Sequence, residues 1–432
     1  MSKPIIGYAG LTHLGLNSAA ASAKNGFTVI GYHGEADYIA RINSGKLPIT
    51  EPGLDVLIAK NKSRITITND LNLLKQCDII YISSDVPTDN NGDSDLAPIN
   101  KMILDCKTVM KSGSLLIVLC QVPPGFTRQL PHKPELLYYQ VETLIFGKAV
   151  ERATQPERLI IGCENPKNRL DARLEIYLES FNCPILKMRY ESAELAKISI
   201  NMCLVASISV ANTMAEICEN IGADWSEILP SLKLDERIGE FSYLKPGLGI
   251  AGGNLERDLY TVLKLSESHK TDGGVIKAWI RNSVHRRDWA WRILYKKVLN
   301  QNPRAIIGIL GLAYKENTDS IKNSPSLALI NQLKGFNIRV HDPVVSNAAT
   351  EISIISDAEE VARNANAIVI MTPWPEYANL DLTKLSSLMS GNIVLDPYAV
   401  LDGNLAKSAG LNYLTLGLSD LPTDSQRLMK NA

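Results

Sequence analysis

The sequence predicts an α/β protein of two doubly wound parallel-sheet domains joined by a long central helix, and three observations predict it. Short β-branched runs alternate with helix-length segments through the first third of the chain. A second series of the same kind fills the last third. Between them lies an apolar stretch, Ser192 to Asn220, that contains neither Gly nor Pro.

Taken in order, Pro4 to Ala9, Thr28 to Tyr32, Asp78 to Ser83 and Ser114 to Val122 read as strands. Each is largely apolar rather than alternating, as expected of strands covered on both faces. The 192–220 stretch, closed by Gly222, reads as one helix far longer than average. Strand-like runs resume at Ala305 to Leu310, Ile338 to His341, Ala367 to Met371 and Ile393 to Leu395. At 432 residues the chain exceeds what a single core usually serves. We divide it into a first domain over 1–190, a central helical region over 191–300 and a last domain over 301–432.

With 45% apolar and 21% charged residues and a formal net charge of −1, the composition is that of a soluble globular protein. It lacks the basic surface that a nucleic-acid partner requires, and clusters such as Arg281 to Arg287 are short enough to be solvated helix faces. Met1 leads straight into a strand with no charged leader, and no apolar run reaches the length of a bilayer crossing. The expected place is therefore cytoplasmic, without a membrane partner. The seven cysteines, Cys77, Cys106, Cys120, Cys163, Cys183, Cys203 and Cys218, sit mainly in apolar stretches and show no metal-ligand spacing. They read as reduced core thiols, and no metal site is expected.

Gly10-Leu11-Thr12-His13-Leu14-Gly15 follows the first strand and opens a helix. In that setting backbone N–H groups and the helix dipole receive a dinucleotide pyrophosphate, which makes Gly10, Leu11, Thr12 and Gly15 candidate cofactor residues of a Rossmann-like domain. Thr12 stands where a middle glycine normally lets the backbone approach the phosphates, so its side chain is expected to displace the cofactor or alter its pose. At the end of the second strand, where an acid usually holds the ribose hydroxyls, the chain has His33, with Glu35 two residues on. His33 would suit a 2′-phosphate, which keeps NADP beside NAD. Further on, Lys245-Pro246-Gly247-Leu248-Gly249 and Gly252-Gly253 place four glycines within seven residues. Such a loop exposes N–H groups suited to a diphosphate or to sugar hydroxyls, with a plain turn as the simpler alternative.

Longer motifs follow one another along the chain. Asn43 to Leu54 is similar to "NxGxxPIxEPGL", and Val86-Pro87-Thr88 with Gly92 to Leu96 to "TPxxxDGSxDL". Val122-Pro123-Pro124-Gly125 resembles "VPVGTT", Gln155-Pro156-Glu157-Arg158 the start of "NPDRIVIG", and Ser192 to Lys197 with Asn201 "AELxKxxxN". Gly311 to Lys315, continued through Asn317-Thr318-Asp319 to Ser324-Pro325, is similar to "GLAFKxxTDDxRxSP", and His341-Asp342-Pro343 stands in place of "YDP". In this order the motifs resemble the UDP-glucose/GDP-mannose dehydrogenase family over nearly the whole chain.

The resemblance implies an N-terminal NAD domain, a dimerising central helix and a C-terminal domain that grips the nucleotide diphosphate of a sugar. The expected partners are a nucleotide-sugar substrate, with a UDP-sugar favoured, and a second copy in a homodimer. It also implies that Lys197 and Asn201 polarise and orient the reacting oxygen, with Glu142 and Asp258 completing a polar cage. Pro87, Thr88, Gln121 and Lys322 join Gly10, Leu11, Thr12, Gly15, His33 and Glu35 at the cofactor. Phe241, Tyr243, Lys245, Gly247, Gly249, Gly252, Gly253, Asn254 and Lys315 fall to the substrate. On spacing alone Lys197 would be an ordinary amphipathic-helix lysine, and Arg257 with Asp258 a surface charge pair.

The family oxidises a sugar CH2OH to a carboxylate by two hydride transfers to NAD, the second from an aldehyde captured by a cysteine. That cysteine lies in a "GFGGSCFPKD" loop. Here Gly249-Ile250-Ala251-Gly252-Gly253-Asn254-Leu255-Glu256-Arg257-Asp258 carries no sulfur, and no cysteine follows Cys218. Gln121 replaces a water-holding threonine, Tyr139 to Thr143 replaces most of "NPEFL", and Lys322 replaces an arginine. Oxidising an alcohol needs a base, an oxyanion stabiliser and a nicotinamide, whereas oxidising an aldehyde needs a nucleophile as well. The expected reaction is therefore a two-electron oxidation to an aldehyde or ketone, or a net isomerisation through it. Ordinary uronic acid formation and a catalytically silent nucleotide-sugar binder are the alternatives. Uronate product would mark the first, and a purified protein without retained cofactor the second.

Overall fold

The computed structural model describes residues 2–49, 51–87, 94–345 and 352–419, and the chain divides into two compact units, Met1–Ile200 and Asn201–Ala432. The first unit is built on eight strands: β1 Ile6–Ala9, β2 Val29–Tyr32, β3 Ile65–Thr68, β4 Ile79–Ile82, β5 Leu115–Val118, β6 Leu137–Val141, β7 Leu159–Cys163 and β8 Ile185–Arg189. They lie in the order β3-β2-β1-β4-β5-β6-β7-β8, with β6 and β7 antiparallel and the other neighbours parallel. The four-residue strands β1, β4 and β5 are buried along their whole length, the physical reason they read as unbroken apolar runs. The chain leaves β1 toward β2 and β3 on one side and returns to β4 and β5 on the other. That reversal opens a crevice at the carboxyl ends of β1 and β4.

The second unit carries a parallel sheet of β9 Ile306–Leu310, β10 Asn337–His341, β11 Ala367–Ile370, β12 Ile393–Leu395 and β13 Asn412–Leu414, in the order β10-β9-β11-β12-β13. Its strands pack against an apolar core that includes Trp289, Leu312, Trp374 and Tyr377. Both sheets and the helix between them agree with the expected fold class. The helix itself runs from Tyr190 to Ile221, within two residues of the predicted span.

One expectation is corrected here. That helix is long and apolar enough to cross a membrane by length and composition, although the sequence reading found no such run. Its charges, Glu191, Glu194 and Lys197 at one end and Glu216 and Glu219 at the other, leave Ile198 to Ala215 uncharged. Near its C-terminal end it is tied down by a buried charge. Arg286 is fully buried, donates to Glu219 at 2.7 Å and lies 3.5 Å from Glu216. Glu219 also accepts from the Trp289 indole at 3.0 Å and the Gly417 N–H at 3.0 Å. Such a charge is tolerated inside only when paired and hydrogen-bonded.

Candidate functional site

In the first unit β1 runs into Gly10, whose φ of +102° favours glycine, and the helix His13–Lys24 starts three residues later. A Cβ on Gly10 would stand 2.0 Å from the Ser84 hydroxyl, and one on Gly15 1.9 Å from the Gly10 carbonyl. Close backbone packing therefore fixes both glycines. No side chain caps this helix, so its first-turn N–H groups are left for a ligand, which is the fit a pyrophosphate needs. The Thr12 hydroxyl, expected to displace the cofactor or alter its pose, accepts from the Asp85 N–H at 3.1 Å and donates to the Ser83 carbonyl at 3.4 Å, which draws it onto the end of β4.

At the end of β2 the His33 ring stacks on Tyr38 at 4.0 Å, and His33 Nδ1 accepts from the Glu35 N–H at 3.3 Å. Tyr38 in turn donates to the Leu11 carbonyl at 2.8 Å, linking this end of the crevice to the glycine turn. Sequence reasoning missed Tyr38, because a lone tyrosine on a short helix carries no signal. Burial lowers the basicity of His33 against the opposing pull of Glu35. A less basic histidine is a weaker partner for a 2′-phosphate, in keeping with an NAD rather than an NADP site.

Two buried glutamates from the quoted motifs hold the loops around this crevice. Glu51 accepts from His13 Nε2 at 3.0 Å and from the N–H groups of Gly147 at 3.0 Å and Ala149 at 2.8 Å. Glu194 accepts from the N–H groups of Gly125 at 2.6 Å and Thr127 at 2.8 Å, which fastens the turn that follows β5 and Gln121. Their motifs were legible in the sequence; their anchoring role was not. Gln121 is half-buried next to Cys120, whose thiol burial pushes up to about 12. Pro87 is exposed, its carbonyl accepting from Asp95 at 2.9 Å, while Thr88 lies outside the described residues.

Glu142 ends β6. Desolvation raises its pKa above the ordinary carboxylate range, against a 2.7 Å bond from the Thr143 N–H and the positive charges of Lys197 and Arg152. The structure thus brings Glu142 and Lys197 within electrostatic reach of one another.

In the second unit the segment Gly249–Asp258 is held on several sides. A Cβ on Gly249 would meet the Ser283 carbonyl at 2.3 Å, and Ile250 N–H donates to Ser283 Oγ at 2.8 Å. Asn323 donates to the Gly252 carbonyl at 3.0 Å and to Glu256. Tyr314 packs over Gly252, and the Lys322 side chain lies 3.4 Å from where a Gly253 Cβ would stand. Lys322, assigned from the sequence to the cofactor, is thereby grouped with this loop. Asn254 is exposed at the first position of the helix Asn254–His269. Arg257 and Asp258 do not form a surface pair: they are 8% and 1% exposed and lie 3.2 Å apart. Asp258 also accepts from Asn201 Nδ2 at 2.5 Å.

A cleft of about 770 Å3 in the same unit has Tyr243, Lys245, Gly247 and Gly249 in its walls, together with Trp225, Glu316 and Tyr398, which the sequence reading missed. That size suits a nucleotide-sized ligand. Phe241, 88% exposed, and Lys315, whose ammonium sits over the Tyr314 ring at 5.8 Å, are not among its walls. Near the β9 turn, Asp342 accepts from the N–H groups of Leu312 at 2.6 Å, Ala313 at 3.1 Å, Val344 at 2.9 Å and Val345 at 2.8 Å, and from the Trp374 indole at 3.3 Å.

Comparison with known proteins gives these two units a common setting. Residues 5–181 match the NAD binding domain of the UDP-glucose/GDP-mannose dehydrogenase family, 191–283 its central domain and 308–403 its UDP binding domain. The UDP-glucose 6-dehydrogenase TuaD of Bacillus subtilis is 28% identical over 94% of this chain and 92% of its own length. A UDP-glucose 6-dehydrogenase of Rhizobium meliloti is 26% identical over 95% and 99%. Among solved structures, the UDP-D-ManNAc dehydrogenase of Pyrococcus horikoshii superposes with a TM-score of 0.83 at 25% identity, covering 96% of this chain and 99% of that one. A glycine turn with an uncapped helix, a nucleotide-sized cleft and three domain matches in chain order converge on one conclusion: this chain belongs to the UDP-glucose/GDP-mannose dehydrogenase family.

Proposed function

We propose that the chain oxidises a UDP-linked sugar alcohol by two electrons, giving an aldehyde or ketone or, by return of the hydride, an isomer, and that it stops short of a uronic acid. The NAD of the first domain, when bound, accepts the hydride. Lys197 and Asn201 hold and polarise the hydroxyl oxygen, Glu142 takes its proton, and Asp258 fixes the Asn201 amide. Gly10, Leu11, Thr12, Gly15, His33 and Glu35 with Pro87 and Gln121 receive the cofactor. The walls of the second-unit cleft receive the nucleotide, and Gly252, Gly253 and Asn254 with Lys315 and Lys322 the sugar end. These roles fall to three domains, 1–190, 191–300 and 301–432.

One observation carries the reading: the helix that opens at Asn254 begins with an amide rather than a thiol. Five of the seven cysteines are buried and Cys183 is half-buried. The exposed Cys203 lies two residues past Asn201 on the long helix, and residues two apart do not share a helix face. With no thiolate to capture the carbonyl, the thiohemiacetal route to a second hydride is closed, and only a hydrated aldehyde could supply one. Incubation with NAD and a panel of nucleotide sugars is expected to give at most one NADH per sugar, read from absorbance against product mass. Two NADH per sugar with uronate in the spectrum would instead establish the ordinary 6-dehydrogenase, which the names of the whole-length relatives favour.

We further infer a cytoplasmic homodimer. On the long helix Val210, Met214, Ile217 and Ile221 recur at the spacing of one face and are 41–67% exposed, an apolar stripe that a second copy would cover. Met214→Glu combined with Ile217→Glu should convert a dimer into a monomer in sedimentation, and a wild-type monomer at micromolar concentration would refute the assignment.

A further inference from the structure

A small polar cavity adjoins Glu142 in the first unit. It measures about 30 Å3, and Tyr8, Ser18, Ala21, Gln140 and Tyr177 stand in its walls with Glu142. That is room for a water molecule or two. Ser18 is only 7% exposed, yet its hydroxyl has no hydrogen-bond partner among the described residues. Leaving such a group dry costs about 1–3 kcal/mol, so its place on a polar cavity wall points to bound water.

A run of hydroxyls continues from the wall. Tyr8 Oη and Tyr177 Oη are 2.9 Å apart, and each bonds Ser22 Oγ, at 2.8 and 2.9 Å. Tyr81 donates to Gln140 Oε1 at 2.9 Å. Burial raises all three phenols, which keeps them neutral. The charged groups that act on Glu142 are Lys197 of the long helix and Arg152 of the helix Ala149–Thr154. Arg152 and Arg158, which both line the cavity, are each paired with Glu157, at 2.8 and 2.9 Å. The way out is therefore not an unscreened positive barrier.

We propose that this cavity is a built hydration site through which Glu142 exchanges its proton with solvent, with Ser18 and Tyr177 as the residues that position the water. The inference rests on the reading that Glu142 accepts the proton of the oxidised alcohol. In that oxidation a C–H and an O–H bond break and a C=O bond forms. The hydride carries its electron pair to NAD, the hydroxyl proton passes to Glu142, and the cavity water carries it on, so that Glu142 is a carboxylate again for the next turnover.

The test uses the full chain without substrate. A crystal structure fine enough to place waters should show one within hydrogen-bond reach of Ser18 Oγ and the Glu142 carboxyl. Isotope-edited infrared titration with labelled glutamate, the Glu142 band being the one lost in Glu142→Gln, should give a midpoint roughly one unit higher in the cavity-filling Ala21→Val. Ser18→Ala should move it the same way by less, both variants melting as folded proteins. A dry cavity, or wild-type midpoints in both, overturns the proposal; should Ala21→Val fail to fold, Ser18→Ala and the crystal decide. With an active preparation, the acid limb of kcat should move with the midpoint while KM stays. Absence of turnover with every nucleotide sugar would sink the functional reading instead, since waters and midpoints are read without substrate.

Discussion

Lys197→Ala is expected to lower kcat about 10²–10³-fold with little change in KM or in melting temperature. In the proposed reaction the ammonium meets an oxygen that gains negative charge as the proton leaves, so its interaction would strengthen toward the transition state and appear in kcat rather than in binding. A second effect runs in the same direction. Lys197 holds down the pKa of Glu142, which desolvation otherwise raises, so its loss leaves Glu142 protonated to higher pH and shifts the acid limb of the rate profile upward. Lys197→Arg keeps the charge and should restore the limb better than the rate, since the guanidinium fork differs from an ammonium in shape. Steady-state kinetics across pH decides the matter, and a kcat within about threefold of wild type would remove Lys197 from the chemistry.

Asp342→Ala should destabilise the second unit by about 3–5 kcal/mol, because five donors, four of them on buried residues, lose one acceptor and each buried donor left orphaned costs about 1–3 kcal/mol before relaxation. Burial pushes the Asp342 carboxyl up, but the N–H groups of Leu312, Val345, Val344 and Ala313 outweigh it and hold the pKa below the ordinary value. A carboxyl whose folded pKa is depressed contributes stability above its unfolded pKa, about 3.9 for aspartate, and loses it as pH falls through the folded value. Urea unfolding followed by tryptophan fluorescence should therefore show wild-type stability falling below about pH 4 more steeply than that of the variant. Equal stabilities at pH 7 would mean that the turn holds itself.

Much of this was legible from residue order. Among the strands that were read, β1, β4 and β5 are covered on both faces, so that burial wrote itself as largely apolar runs, whereas β6 and β7 are as fully buried and were not read. β3 was missed because its Ile65-Thr66-Ile67-Thr68 lies at a sheet edge and is only partly buried, and β13 because its Asn412-Tyr413-Leu414 opens on an exposed polar residue at the edge of the second sheet. The site was legible where chemistry sits in a motif and illegible where it depends on approach in space. Glu51, Glu194 and Asp342 stood in motifs that were read, but a carboxylate that gathers N–H groups from segments tens of residues away leaves no spacing to read. Thr12 illustrates the converse: its departure from glycine was legible, but its bonds to Ser83 and Asp85, which set where the side chain goes, were not.

The Asp342 carboxylate accepts the N–H groups of Leu312 and Ala313 just past the end of β9, groups that in a first-strand turn are the kind that receive a phosphate. The second sheet thus carries its own resident anion, attached to the chain and present whatever is in solution. A ligand's anion would therefore meet an occupied turn there, and the proposed recognition by the walls that Trp225, Tyr243 and Gly247 supply would have to work without those N–H groups.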